Sequence, residues 1–346
     1  METSHIKYLQ GSSKQPVAGA YKGLFRNLTA QSLQEHTAFG ERQREVLNFN
    51  FLRLWMLKES SEPRALRVSL NGHQSQPMSS GAETFLHMRA NMGATLAAAT
   101  AAQYLIGQGD RHLDNFLLER HSGDVVPIDF GHNFGIGTSR LPVPELMGVR
   151  LTPQLLRIWA PCDGLLLLKT HLANVFTAFR KEEDALYQAM SVFARDPSLD
   201  WIKGAVDVAA NISKATGDRQ RLGDDVVATD VDKNMRLALA RLRGAHPAWA
   251  ICEDLARNPN FGTFTPNSPY RVMCELVWIA SGASGAPSAR RARANAQPVN
   301  GDVGEVESGT PMGAPLSVEN MVDALVNMAT NPAIMTLTWV GWKPFL

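Results

Sequence analysis

Two polar motifs that flank a pair of short apolar runs restrict the fold of this sequence more than any other feature. The first motif is a glycine-rich loop, GlyGlnGlyAspArgHisLeuAspAsn, at 107–115, and the second is AspPheGly at 129–131. The apolar runs, PheLeuLeu at 116–118 and ValValProIleAspPhe at 125–130, are separated by the turn-forming sequence HisSerGlyAsp at 121–124. This pattern predicts a β-hairpin, which brings the two motifs together at its open end.

The spacing of the polar residues matches the needs of phosphoryl transfer. Asp110 precedes Asn115 by five positions, as in the Asp-x-x-x-x-Asn of kinase catalytic loops, and AspPheGly follows across the hairpin. In that reaction a carboxylate orients the attacking hydroxyl and accepts its proton, while an amide oxygen and a second carboxylate hold Mg²⁺ against the phosphates of ATP. The sequence therefore predicts Asp110 as the catalytic base, and Asn115 and Asp129 as ligands of Mg²⁺ and of the ATP cofactor bound through it.

The order of residues in the loop departs from ordinary protein kinases, in which His-Arg-Asp precedes the four-residue gap. Here the order is inverted to AspArgHis, with His112 two residues after the acid. This order resembles the phosphoinositide kinases and their protein-kinase relatives, whose loop is GlyAspArgHis-x-x-Asn. The resemblance implies that His112 is a further catalytic residue, which stabilises the transferring phosphoryl group or positions the hydroxyl. The alternative is that His112 only satisfies a backbone carbonyl.

The segment after AspPheGly distinguishes a lipid substrate from a protein substrate. Lipid kinases of this kind carry several Lys and Arg residues there, because inositol phosphates are densely negative. Between His132 and Val149 this sequence has a single basic residue, Arg140, among apolar residues and prolines. That composition favours a protein substrate, since an uncharged pocket suits a neutral side chain next to a peptide hydroxyl.

The carboxy-terminal residues resemble the FATC segment of phosphoinositide-3-kinase-related protein kinases. The sequence 317–332 predicts a helix with Val318, Met321, Val322, Leu325 and Met328 on one face, opened by Ser317 and ended by Pro332, and an aromatic tail follows. The last residue is Leu346, where relatives usually have Trp, Phe or Met. The resemblance implies that this segment packs against the activation region.

Four shorter stretches, at 19–22, 129–132, 141–152 and 251–255, resemble the DNA-repair branch of that family rather than its checkpoint or growth-control branches. The resemblance implies a serine/threonine kinase that phosphorylates Ser or Thr followed by Gln, acting in the nucleus in double-strand-break repair by non-homologous end joining. Lys plus Arg total 34 against 33 for Asp plus Glu, so strong non-specific DNA binding is not expected. The expected partners are protein substrates, with DNA bound only indirectly, through other parts of a longer chain or a DNA-end-binding partner such as the Ku heterodimer.

Hydrophobic periodicity gives the organisation of the rest of the chain. Apolar residues recur at three- and four-residue intervals from Glu83 to Ile106, and the pattern is again helical for about a hundred residues after Leu151. No membrane span is expected, because the leucine run at 165–168 is too short. We therefore expect a mainly α fold with a small β-hairpin: the carboxy-terminal lobe of a protein-kinase-like (α+β) fold, without its amino-terminal lobe. The expected divisions are a poorly defined segment at 1–80, the kinase lobe at 81–280, a flexible linker at 281–315 and the FATC segment at 316–346.

A working kinase also needs a loop over the phosphates and a strand lysine that pairs with them. Neither is recognisable before residue 83, where the lysines lie in polar sequence without a strand pattern. Three hypotheses remain open: a serine/threonine kinase that is active once joined to an amino-terminal lobe, a phosphoinositide lipid kinase, and a non-catalytic remnant that serves as an interaction module.

Overall fold

The structure is a computed structural model, which describes residues 51–61, 81–112, 115–195, 221–258, 269–283 and 314–337. The elements, in chain order, are α1 (Phe51–Ser61), α2 (Ala82–Leu105), β1 (Phe116–Leu118), β2 (Val125–Pro127), α3 (Ile136–Ser139), α4 (Pro153–Leu156), a 3₁₀ turn (Arg157–Trp159), α5 (Gly164–Lys181), α6 (Glu183–Ala194), α7 (Arg221–Arg243), α8 (Pro247–Ala256), α9 (Pro269–Ala280), α10 (Val318–Thr330) and α11 (Pro332–Thr336). The predicted fold, mainly helical with one small hairpin, is confirmed.

Helix α2 forms the centre of the largest hydrophobic core. Its predicted apolar face is buried at Phe85, Met88, Met92 and Leu96, and the alanines at 97–102 allow close packing against α5. The core also includes buried residues of α5 and α10. Because α2 leads directly into the glycine-rich loop, this packing fixes the point at which the loop begins.

The hairpin has the predicted position, with β2 ending at Pro127. Strands β1 and β2 are antiparallel, with Phe116 opposite Pro127, Leu117 opposite Val126 and Leu118 opposite Val125. Its base is joined by the N–H of Ile128, which donates to the carbonyl of Asn115 at 2.9 Å. The two polar motifs therefore lie next to each other, as the sequence predicts.

Helix α10 also agrees with its prediction, and the five residues predicted to share a face are all buried. Ser317 caps it through its hydroxyl, which accepts the N–H of Asn320 at 3.2 Å. The helix ends at Thr330, and Pro332 starts the short helix α11 instead of simply closing α10, because Asn331 caps α11 through its side chain. Most of the expected linker, and the aromatic tail from residue 338, lie outside the described residues.

A second and a third core hold the segment that follows AspPheGly. Val143, Leu146 and Met147 pack with α8, α9 and α11, whereas Phe134 and Ile136 pack with α6 and α7. Each group is buried. The segment after AspPheGly, residues 132–149, called the activation segment below, is therefore held between helices on both sides.

None of the described helices combines the length and apolar character needed to cross a membrane.

Candidate active site

The glycine-rich loop is held by hydrogen bonds to the segment that follows the hairpin. The N–H of Gly109 donates to the carbonyl of His132 at 2.6 Å, and the N–H of Asp110 donates to Oε1 of Glu145 at 2.6 Å. Asp110 has a φ of 54°, a left-handed conformation that Asp tolerates better than most residues. Such conformations persist only where surrounding contacts impose them, and these two hydrogen bonds do so here.

A buried ion pair continues this support at the next residue. The Arg111 guanidinium donates to the carbonyls of Gly148 at 2.9 Å and Met147 at 2.8 Å, and its Nη2 lies 3.5 Å from Oε2 of Glu145. Burial lowers the pKa of Arg111, and the nearby Glu145 carboxylate partly offsets this. Burial raises the pKa of Glu145, against the attraction of Arg111 and the N–H of Asp110. The pair therefore holds the loop in place at an electrostatic cost.

Asn115 is oriented so that its side-chain oxygen is available. Its Nδ2 donates to the carbonyl of Asp110 at 2.8 Å, and its backbone carbonyl accepts from Ile128. Since the amide nitrogen is engaged, Oδ1 is the atom left to bind a cation. Asn115 is thereby tied both to the predicted base and to the residue that precedes Asp129.

Asp129 lies at the other end of the hairpin and is exposed. Its φ is 57°, its Oδ1 accepts the N–H of Gly131 at 3.2 Å, and its backbone carbonyl accepts from Nε2 of Gln108 at 2.9 Å. Its backbone is therefore held by the glycine-rich loop, while the residue itself is exposed to solvent. The proximity of Asn115 and Asp129 through Ile128 agrees with a shared metal, which stays a prediction.

Two histidines lie beside the predicted base. His132 was not predicted, and its Nδ1 lies 3.6 Å from Oδ2 of Asp110. His112 is half-buried, and its Nδ1 has no hydrogen-bond partner among the described residues. Its backbone carbonyl, not its ring, accepts the N–H of Asn115 at 3.0 Å. Among the described residues, Nδ1 of His112 thus has no carbonyl partner, and the catalytic role of His112 stays a prediction.

The outer face of the hairpin is apolar and uncovered by described residues. Leu117 and Val126 form a cross-strand pair and are each about half exposed, at 51% and 47%. Ile128 and Phe130, on either side of Asp129, are 37% and 40% exposed. An apolar surface next to the predicted metal ligands would suit an aromatic ring such as the adenine of ATP.

The burial of apolar residues in the activation segment corrects one part of the argument for an uncharged substrate pocket. The apolar residues assigned to a substrate pocket include Val143, Leu146 and Met147, which are buried against α8 and α9. Their apolar character is therefore explained by core packing. The scarcity of basic residues in this segment remains, with only Arg140 between His132 and Val149.

Sequence reasoning found the residues of the polar motifs and missed their supports. Glu145 and His132 reach the loop only through the tertiary fold, while Gln108, within the loop, supports the backbone of Asp129 across the hairpin. The arginine of AspArgHis could have signalled a buried acidic partner, because a buried guanidinium requires one.

Comparison with known proteins agrees with these observations. Residues 58–203 match the family "Phosphatidylinositol 3- and 4-kinase", and residues 315–346 match "FATC domain". The DNA-dependent protein kinase catalytic subunit of Dictyostelium discoideum is 29% identical over 98% of this chain and 7% of its own length, and that of Mus musculus is 32% identical over 78% and 6%. The serine/threonine-protein kinase TOR of Oryza sativa subsp. japonica is 28% identical over 76% of this chain and 10% of its own.

The chain thus spans 6 to 10% of the length of these relatives. The first match includes the glycine-rich loop and the hairpin, and the second includes α10. A kinase-domain match followed by a FATC match reproduces the order of the two resemblances found in the sequence. The chain therefore belongs to the phosphoinositide-3-kinase-related family.

Proposed function

We propose that this chain carries the carboxy-terminal lobe, with the catalytic residues, of an ATP-dependent serine/threonine protein kinase. The observation that carries the proposal is the hydrogen bond from Asn115 Nδ2 to the carbonyl of Asp110, together with the link from Ile128 to Asn115. These bonds join the candidate base to Asn115, and Asn115 to the residue that precedes Asp129. Phosphoryl transfer depends mainly on positioning and charge stabilisation, and this arrangement supports a proposed carboxylate base beside a proposed cation site.

The donor set fits Mg²⁺ and ATP. Mg²⁺ prefers oxygen ligands and usually keeps phosphate and water in its remaining positions. Oδ1 of Asn115 and the exposed carboxylate of Asp129 are donors of that kind, and bound Mg²⁺ would neutralise charge on the phosphates. The apolar hairpin face at Leu117 and Val126 would lie under the adenine.

Within this site Asp110 would accept the proton of the substrate hydroxyl. Its conformation is held by Glu145 through the backbone N–H, and His132 lies 3.6 Å from its Oδ2. His112 would donate from its ring to the phosphoryl oxygens. Each of these roles uses a side chain of this chain at the open end of the hairpin.

The proposed substrate is a Ser or Thr followed by Gln, and the proposed setting is non-homologous end joining in the nucleus. Both rest on the sequence resemblance and on relatives whose name is DNA-dependent protein kinase catalytic subunit. The near absence of basic residues in the activation segment argues against an inositol phosphate. DNA contact would be indirect, through other parts of a longer protein or a DNA-end-binding partner such as Ku.

The experiment joins residues 1–346 to an amino-terminal lobe from the same family and measures phosphate transfer from ATP. The substrates are a Ser-Gln peptide, the matching Ser-Ala peptide and phosphoinositide vesicles. We expect preference for the Ser-Gln peptide and a loss of about 10²- to 10⁴-fold in Asp110→Asn, the contribution typical of a general base. Equal transfer to vesicles would favour the lipid kinase, and Mg-ATP binding without any transfer would favour the non-catalytic remnant.

Asp163→Asn is the matched control. Asp163 caps α5 by accepting the N–H of Leu166 at 3.0 Å, and Asn caps a helix about as well as Asp. The same change of charge, made away from the site, should leave transfer intact.

A further inference from the structure

The glycine-rich loop and the segment after AspPheGly meet at one backbone junction. The N–H of Phe134 donates to the carbonyl of Ile106 at 2.7 Å, and the N–H of Gly135 donates to the carbonyl of Gly107 at 2.9 Å. Gly107 and Gly135 have φ values of 60° and 77°, which glycine adopts without steric cost. These four residues, called the glycine junction below, join the start of the loop that carries Asp110 to the segment that follows Asp129.

A buried ion pair lies directly behind this junction. Nη2 of Arg241, on α7, is 2.6 Å from Oδ2 of Asp254, on α8. The two side chains are only 4% and 1% exposed. Nη1 of Arg257 adds a contact of 3.3 Å to the other carboxylate oxygen. The pair therefore connects two helices that follow the activation segment by about a hundred residues.

Each member of the pair packs against one glycine of the junction. A Cβ on Gly107 would lie 2.7 Å from Nη1 of Arg241, and a Cβ on Gly135 would overlap the Asp254 carboxylate. Both contacts would be closer than any normal contact, so neither glycine has room for a side chain. The absence of a Cβ at these positions thus serves close contact with the ion pair as well as a positive φ.

The pair also lies near the other buried ion pair, Arg111–Glu145, which supports the glycine-rich loop. A cavity of about 20 Å³ is lined by residues of both ion pairs, Arg241–Asp254 and Arg111–Glu145. The two ion pairs therefore border the same stretch of loop, Gly107–Arg111. A buried ion pair is rarely the most stabilising solution for a core, and well-packed apolar residues often do as well or better. Its presence here points to a role in fixing the geometry of the loop rather than in stability alone.

We propose that Arg241 and Asp254 are positioning residues, which clamp the glycine junction so that Asp110 and Asp129 keep a fixed separation. The catalytic consequence of the clamp rests on the proposed kinase function, whereas its structural effect is independent of that function. The residue Asp254 lies within the stretch 251–255, so the clamp also gives a physical role to a sequence match that the catalytic motifs do not use.

The structural test measures amide hydrogen exchange in the full 346-residue chain. Asp254→Asn keeps the size of the side chain and removes its charge, and Arg241→Lys keeps the charge and removes the planar fork. We expect exchange at 106–109 and 133–137 to rise at least 10-fold more than in the rest of the described core. Leu172→Ala, a fully buried residue of α5, is the control, because it lowers stability without touching the junction. Exchange that rises evenly over the chain, as in the control, would overturn the clamp.

The catalytic test uses the same variants joined to the amino-terminal lobe. We expect kcat to fall about 10- to 100-fold, since small misplacements of a catalytic group have effects of this size. KM for ATP should change less than kcat, because the hairpin face and Asn115 are anchored separately through Ile128. Arg243→Lys is the matched control, on the same helix but in an exposed pair with Glu183, and should leave kcat unchanged.

The two tests separate the clamp from the proposed function. No transfer by the unsubstituted protein would contradict the kinase proposal, while the exchange measurement would still decide the clamp. An unchanged kcat in Arg241→Lys and Asp254→Asn, with an active parent protein, would overturn the positioning role.

Discussion

The carboxylate of Glu145 interacts with two neighbours at once. It accepts the N–H of Asp110 through Oε1 and faces the Arg111 guanidinium through Oε2. The sequence offers no motif that separates Glu145 from other acidic residues, because its importance comes from the turn that brings it back to the loop. The loss of Glu145 should therefore act directly on Asp110, the proposed catalytic base.

We predict that Glu145→Gln destabilises the protein by about 2–4 kcal/mol, as expected when one partner of a buried ion pair is removed. The amide oxygen can still accept the Asp110 N–H, so the loss comes from leaving the Arg111 charge buried without a counterion. Urea denaturation measures it. Glu183→Gln removes the acid of the exposed pair with Arg243 and should change stability little. Equal losses in the two variants would contradict this account.

His246 should make the stability of the protein depend on pH. It stacks on Trp278 with ring centroids 4.3 Å apart, and its Nδ1 accepts the N–H of Ala248 at the start of α8. Burial lowers the pKa of His246, so the unfolded chain binds a proton at a higher pH than the folded one. The stability that neutral His246 contributes is therefore fully present above about pH 6.5, the ordinary histidine pKa. It decreases as the pH falls below that value.

The measurement compares melting temperatures at pH 7.5 and pH 5.5 in the parent and in His246→Asn. Asn can cap the helix at both pH values without titrating. We expect a smaller decrease in the variant on acidification. The same decrease in both proteins would show that other groups account for the pH dependence.

At the scale of elements, helix α10 of the FATC domain contacts the activation segment at Gly148. A Cβ on Gly148 would lie 2.9 Å from Cδ2 of Leu325 and 3.2 Å from Cδ2 of Tyr104. The carbonyl of Gly148 accepts a hydrogen bond from Arg111. Helix α10 thus packs on the glycine whose carbonyl holds Arg111 of the glycine-rich loop.

We predict that Gly148→Ala destabilises the protein by about 1–3 kcal/mol through overpacking. Leu325→Ala alone should cost about 2–5 kcal/mol because it leaves a cavity. The double variant should lose less than the sum, since the truncated side chain makes room for the new methyl group. Chemical denaturation of the four proteins measures the coupling, and additive losses would place the two residues out of contact.

The elements that the sequence predicted well are those with a strong local pattern. Helix α2, the hairpin and α10 follow from periodicity, turn residues and a capping serine, all of which act over a few residues. Helix α1 was not predicted, although Leu52, Trp55 and Met56 have helical spacing, because the polar sequence around it has no clear boundary. Its Met56 is fully buried, so tertiary packing determines where it begins and ends.

The candidate site divides in the same way. Asp110, His112, Asn115 and Asp129 belong to motifs whose spacing reflects the chemistry. Glu145, Arg241 and Asp254 support that site from up to 144 residues away in the sequence, and only the fold brings them together. The thiols of Cys252 and Cys274 likewise lie on adjacent helices, close enough for a hydrogen bond that raises the pKa of Cys252, although the sequence separates them by 22 positions.

At the scale of the whole molecule, the described residues form one side of the proposed nucleotide site. The hairpin presents an apolar face at Leu117 and Val126, with Asn115 and Asp129 at its open end. Kinases enclose the nucleotide from the opposite side with a loop over the phosphates and a strand lysine. An adenine ring that rests on a surface about half exposed to solvent buries too little apolar area for tight binding.

We therefore predict that the 346-residue chain alone binds Mg-ATP weakly and transfers phosphate negligibly. Titration calorimetry should show a dissociation constant at least 10-fold higher than that of the chain joined to an amino-terminal lobe. The weak binding should depend on Mg²⁺ and be lost in Asp129→Asn, since the carboxylate holds the metal, whereas Asp163→Asn should bind like the parent chain. The catalytic gain of Asp110 is realised only when the phosphates are already positioned, so transfer should return with the added lobe. Strong Ser-Gln kinase activity of the purified chain alone would show that residues 1–80 contain a phosphate-binding element of their own.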